Sequence, residues 1–201
     1  MTHTSPGYPA RDRDGHPHST VRRIASAVAG RWPTYLGIAL AAATLFDGDG
    51  GPNGALIVTV AALSYLTVAV LDRPGAVWLV IVVLFGIGTA ADTVGIGYWL
   101  AFGPIALIVT VIGLVRGQLR RPGLYVLQAP QMLVVGVVVL LAEYGGLEFA
   151  GYLVAAALIG HAVWDVAHWR ANKVVTRSLA EFCFVIDSLL GLGIIILLVL
   201  A

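Results

Sequence analysis

Two histidines and three carboxylates sit where the chain is otherwise apolar. His161, Asp165 and His168 lie in "GHAVWDVAHWR", and Glu181 and Asp187 lie in "SLAEFCFVID". Spacings of four and three put the first three on one face of a helix. Two chemistries use such residues. A carboxyl held away from water serves as a proton donor, with an imidazole to position it or return its proton. Imidazole and carboxylate together are also a donor set for zinc or iron.

The elements that must position these groups follow from composition. The chain has 201 residues, 59% of them hydrophobic and 11% charged. Its mean hydropathy is +0.90. A soluble domain is about half apolar and about a quarter charged, so an integral membrane protein is expected, in the cell membrane and multi-pass. Spanning takes about 20 apolar residues. Seven stretches qualify: 28–46, 53–71, 75–94, 97–115, 123–143, 148–168 and 178–200. The expected fold class is therefore all-α, a polytopic bundle of seven transmembrane helices over 21–201. Residues 1–20, "MTHTSPGYPARDRDGHPHST", are polar and read as a disordered cytoplasmic tail. They are too long and too mixed for a cleaved signal peptide.

The basic residues test the count. Arg11, Arg13, Arg22 and Arg23 precede the first stretch, Arg31 lies at its start, and Arg73 follows the second. Arg116, Arg120 and Arg121 follow the fourth, and Arg170, Lys173 and Arg177 the sixth. With seven crossings all 12 fall on one side, which the positive-inside rule makes cytoplasmic. The N-terminus is then inside and the C-terminus outside. Asp47, Asp49, Asp92, Glu143 and Glu148 fall in or beside the other links. Because the basic residues set topology, the net charge of +1 gives no reason to expect a nucleic-acid partner. The single cysteine, Cys183, excludes an internal disulfide and a CxxC metal site.

Depth follows from a rise of about 1.5 Å per residue. Asp165 lies about 5 Å and His161 about 10 Å from the inner end of the sixth span; Glu181 and Asp187 lie about 5 and 14 Å into the seventh. Antiparallel neighbours would bring Asp187 nearly level with His161. Groups at that depth should face the bundle and find partners. Gln128, Gln131, Tyr125, Ser64, Tyr65 and Thr67 lie at similar depth, and Trp164, Trp169, Phe182 and Phe184 accompany them.

Plainer roles exist for each residue. Ser178 and Glu181 have the spacing of a capping box. Asp165 could pair with Arg170 or Arg177. His161 and Asp187 could be a structural pair, His168 an interfacial residue, and Trp164 and Trp169 part of an aromatic belt. Cys183 suits apolar packing, and Gly86, Gly88, Gly191 and Gly193 suit close helix contact. His3, His16 and His18 in the tail could take up a metal ion.

Three functions are open. The first is acid catalysis on a hydrophobic, lipid-like substrate in the cytoplasmic half of the bilayer. Asp187 would be the acid, assisted by His161, Asp165 or Glu181. Trp164, Phe182 and Phe184 would stabilise a carbocation through their ring faces, with Gln128, Gln131 and Tyr125 completing the substrate pocket. No cofactor is needed. Span number, size and intramembrane acids resemble the small membrane-bound terpene cyclases of fungal and actinobacterial meroterpenoid pathways. That resemblance implies metal-free cyclisation of an isoprenoid chain, with Asp187 and Glu181 as the acids. The second is a zinc or iron site at His161, Asp165 and His168, completed by Glu181 or Asp187, with one position left open. It resembles in outline the seven-span membrane hydrolases that attack lipid amides, whose ligands come from separated helices rather than from one. The third is a proton or cation pathway, or a lipid-binding protein without catalysis. The outer halves of the last two spans offer no matching polar path.

Overall fold

Long apolar runs with few charges leave the backbone no partner but itself, and the chain answers with helices. The computed structural model describes residues 18–46, 50–144 and 147–200, with side chains over 22–46, 53–144 and 149–200. Eight α-helices result: α1 (His18–Ala29), α2 (Trp32–Phe46), α3 (Gly50–Leu71), α4 (Val77–Thr93), α5 (Tyr98–Val115), α6 (Gln128–Tyr144), α7 (Leu147–Ala171) and α8 (Arg177–Leu200). No strand occurs among the described residues.

Five helices are long and apolar enough to cross a membrane: Asn53–Leu71, Pro74–Thr93, Tyr98–Val115, Phe149–Ala171 and Arg177–Leu200. The apolar helices α2 and α6 are shorter, at 15 and 17 residues. They reach about 22 and 26 Å, against a hydrocarbon core of about 30 Å.

Both short helices start later than the sequence suggested. The stretch 28–46 is broken at Gly30 and Arg31, and α2 opens with Trp32 and Pro33, where proline's missing N–H is harmless. The stretch 123–143 begins in a turn, with Gly123 at φ +84° after Pro122, and only Gln128 starts the helix. Residues 1–17 of the expected tail lie outside the described residues, and α1 begins at His18. This helix belongs to an N-terminal unit ending at Trp32, while Pro33–Ala201 form a second unit. On α1, Ile24 and Val28 are exposed on one side and Arg22 and Arg23 lie toward the other.

The second unit is arranged around α3. Of its span 78% is buried, against 33% or less in the other four. It packs against α4, α5, α6, α7 and α8. The most extensive contact joins α7 and α8, an antiparallel pair. They approach closely at Gly191, where an added Cβ would stand 2.7 Å from Ile159 Cγ1 and 3.1 Å from the Ala155 carbonyl oxygen. Gly88 and Gly193 are similarly hemmed in, whereas Gly86 faces nothing within 4 Å and has no contact to permit.

The turn joining α7 to α8 is tight. Asn172 takes the left-handed conformation, φ +49°, that ends many helices. Val174 is also left-handed, φ +72°, an uncommon state for a β-branched residue, and its side chain is buried. Thr176 caps α8, its Oγ1 accepting from the Leu179 N–H at 3.4 Å. Ser178 instead accepts from Trp78 Nε1 at 3.2 Å. The expected Ser178–Glu181 capping box therefore does not form.

Candidate functional site

Helix period and hairpin geometry together assemble one cluster. His161 and Asp165 are one turn apart on α7. Asp187 is ten residues into α8 and His161 ten before the end of α7, so both stand about 15 Å from the turn. His161 Nδ1 donates to Asp187 Oδ2 at 2.9 Å and lies 3.5 Å from Asp165 Oδ2. On α3, the Tyr65 hydroxyl donates to Asp165 Oδ1 at 2.5 Å. The Tyr65 ring meets His161 and His168 edge-on, centroids 5.2 and 4.8 Å away.

Tyr65, Asp165, His168 and Asp187 are wholly buried and His161 is 2% exposed. At that burial every polar atom should have a partner, yet three atoms of the cluster do not: His161 Nε2, Asp165 Oδ2 and Asp187 Oδ1. The Nδ1–H points at Asp187, which leaves Asp165 Oδ2 beside it without a hydrogen bond. Neither aspartate has a lysine or arginine partner among the described residues. Asp165 does not pair with Arg170 or Arg177; Arg177 Nε donates to the Trp169 carbonyl at 3.3 Å, with its guanidinium 5.8 Å from that ring. One nitrogen or oxygen each from His161, Asp165 and Asp187 lies within 4.8 Å of the others, close enough to share an ion.

His168 stands beside this cluster rather than in it. Its Nδ1 bonds the Trp164 carbonyl at 3.0 Å, and a carbonyl only accepts, so Nδ1 carries the proton. Its Nε2 then accepts from Gln128 Nε2 at 3.0 Å, while the same amide donates to the Leu124 carbonyl at 2.8 Å. Both ring nitrogens are occupied. Of the expected donors, His161, Asp165 and His168 completed by Glu181 or Asp187, the structure brings together His161, Asp165 and Asp187, and leaves His168 and Glu181 outside.

The other expected site residues scatter. Glu181 accepts from Thr34 of α2 at 2.6 Å. Phe182 is buried against Trp78, centroids 5.4 Å apart. Phe184 is 42% exposed and points out of the unit. Trp164 lies against His168 at 4.9 Å, its Nε1 buried without a partner. Gln131 has a buried, unpartnered Oε1. Tyr125 belongs to a surface group outside the spans, its hydroxyl 3.5 Å from Asp72. There Asp72 accepts from Arg121 at 2.9 Å and raises the pKa of its guanidinium further. Ser64 and Thr67 bond carbonyls of their own helix.

Tyr65 is the member that sequence reasoning placed at the right depth but did not join to the site. Its signal was a phenol inside an apolar span. Its partner is 100 residues away, a pairing that helix period cannot supply.

A separate apolar cleft of about 560 Å³ opens between α5 and α6. Thr59 of α3, Trp99, Phe102, Thr110, Pro130, Met132 and Leu140 are among its walls. No acid lines it. No protein family, no curated protein and no solved structure matches this chain.

Proposed function

We propose that this chain is a multi-pass cell-membrane enzyme that performs acid–base chemistry on a hydrophobic, lipid-like substrate, with His161, Asp165 and Asp187 as its working groups. The observation that carries the reading is a single imidazole beside two wholly buried carboxylates, with no lysine or arginine among the described residues to neutralise them. A scaffold would not need the second carboxylate. A second carboxyl at membrane depth costs at least about 2.5 kcal/mol when ionised, and otherwise holds a proton that it can give up. Such an expense is expected where a group is kept for its chemistry.

Two reactions suit this centre. Loaded with protons, Asp187 protonates an isoprenoid alkene and starts a cyclisation, the reaction implied by the terpene-cyclase resemblance. A metal ion held by His161, Asp165 and Asp187 would instead supply a Lewis acid for hydrolysis. Proton cyclisation calls for aromatic faces around the acid. Phe184 points outward and Phe182 packs on Trp78, so of the three expected aromatic faces Trp164 alone stays near the cluster, against His168. Trp99 and Phe102 wall the separate α5–α6 cleft, which no acid lines.

The same reading places the N-terminus in the cytoplasm and the C-terminus outside after seven crossings, supported by the one-sided distribution of the 12 basic residues. A reporter fused after Ala201 reads as external; a cytoplasmic signal overturns the topology. The enzymatic reading is tested by turnover of prenylated and acylated lipids in reconstituted protein. Asp187→Asn lowers turnover roughly a hundredfold or more, the scale of general acid–base catalysis. Full turnover in both Asp187→Asn and His161→Ala overturns it.

A further inference from the structure

We infer that His161, Asp165 and Asp187 bind one divalent transition-metal ion, zinc or iron, through one atom each. The inference rests on the reading of this cluster as the working centre and names the cofactor it takes.

Distance is the first ground. Two ligand atoms about 2.1 Å from a shared ion, at angles of about 90–110°, stand about 3.0–3.4 Å apart. The edges from His161 Nδ1 to Asp187 Oδ2 and to Asp165 Oδ2 are 2.9 and 3.5 Å. All three atoms lie within 4.8 Å of one another, so an ion in place of the Nδ1 proton would meet them once the two carboxylates are drawn in around it. Orphaned atoms are the second ground. Asp165 Oδ2 is completely buried, turned toward the cluster and without a hydrogen bond. A cation gives it the partner it lacks.

Charge is the third ground. Two carboxylates balance a divalent ion, and the imidazole then binds as a neutral donor. One nitrogen with two oxygens suits zinc or iron. Three protein ligands leave a position for water or substrate, the pattern of catalytic rather than structural sites. The surroundings agree. Tyr65 holds Asp165 through Oδ1 at 2.5 Å and leaves Oδ2 for the ion, the orienting role that outer groups play around metals. His168 is excluded because Trp164 and Gln128 occupy both its nitrogens.

Because the cluster is buried, the ion is best supplied while the chain folds. The test is therefore made during expression. Full-length protein is produced in medium carrying cobalt in place of zinc, purified in detergent, and assayed for metal per chain and for visible cobalt absorption. About one ion per chain is expected. It falls at least tenfold in His161→Ala and in Asp187→Asn. It persists when His3, His16 and His18 are all changed to Ala, which removes the tail as a source of adventitious binding. A wild-type chain that purifies without metal overturns the inference, as does an ion that vanishes with the tail histidines and survives His161→Ala. If the site variants fail to fold, the triple tail variant decides, since the trio is the one cluster of its kind among the described residues. Metal-free wild type that still turns over substrate, with Asp187→Asn inactive, rejects the ion and leaves the acid–base reading standing.

Discussion

The two ends of the α7–α8 hairpin solve one packing problem in opposite ways. Far from the turn the helices meet through small and aliphatic residues: Gly191 against Ala155 and Ile159, and Gly151 against Leu198. Val154, Leu158, Leu190 and Ile194 are all buried there. Nearer the turn the same helices face each other through His161, Asp165 and Asp187, equally buried but with three polar atoms unpaired. The far end shows that this hairpin can close on hydrocarbon alone. The polar end is therefore not required for closure. Buried ionic groups are weak contributors to stability compared with well-packed apolar ones, so their presence points to chemistry.

Substitutions at each end sharpen that contrast. Asp187→Asn has the largest effect, a fall of roughly a hundredfold or more in turnover, with expression and the melting of the metal-free protein unharmed; equal turnover would make the two ends alike. Gly191→Leu does the reverse. Its side chain meets the Ala155 backbone as well as Ile159, so unfolding becomes easier by about 1–3 kcal/mol, measured by thermal or denaturant melting. Tyr65→Phe leaves Asp165 Oδ1 unpaired and should cost about 1 kcal/mol. It also weakens metal retention, because Asp165 loses the bond that orients it. Phe184→Ala, on the outward side of α8, should change melting by less than about 0.5 kcal/mol and leave turnover alone; a large loss of turnover would restore that ring to the substrate path.

Much of this arrangement was legible in the chain. The apolar runs marked where helices form, and the spacing of His161 and Asp165 put them on one face. Counting outward from a short turn set Asp187 level with His161, and the two atoms meet at 2.9 Å. Azimuth was harder to read, because it depends on which neighbours surround a helix. Phe184 lies on α8 beside the site in sequence yet points outward, while Phe182 turns to Trp78 of α4. His168 shares a face with Asp165 but is taken by Gln128 of α6. Glu181 found Thr34 on α2, 147 residues away. The starts of α2 and α6 were displaced for a local reason: the chain breaks at Gly30–Arg31 ahead of Trp32 and turns at Gly123 ahead of Gln128, inside runs that still average as apolar.

The most direct measurement of the central claim needs no substrate. It is the thermal melting of Asp187→Asn in full-length protein after metal is removed with a chelator. The substitution keeps the volume of the side chain and an acceptor for His161 while deleting one of two buried charges. If the trio is kept for chemistry at some expense to the fold, the variant melts at the same temperature as wild type or higher. If Asp187 instead holds α8 to α7, removing one partner of a buried pair costs about 3–5 kcal/mol. A drop in melting temperature of that size would contradict the account.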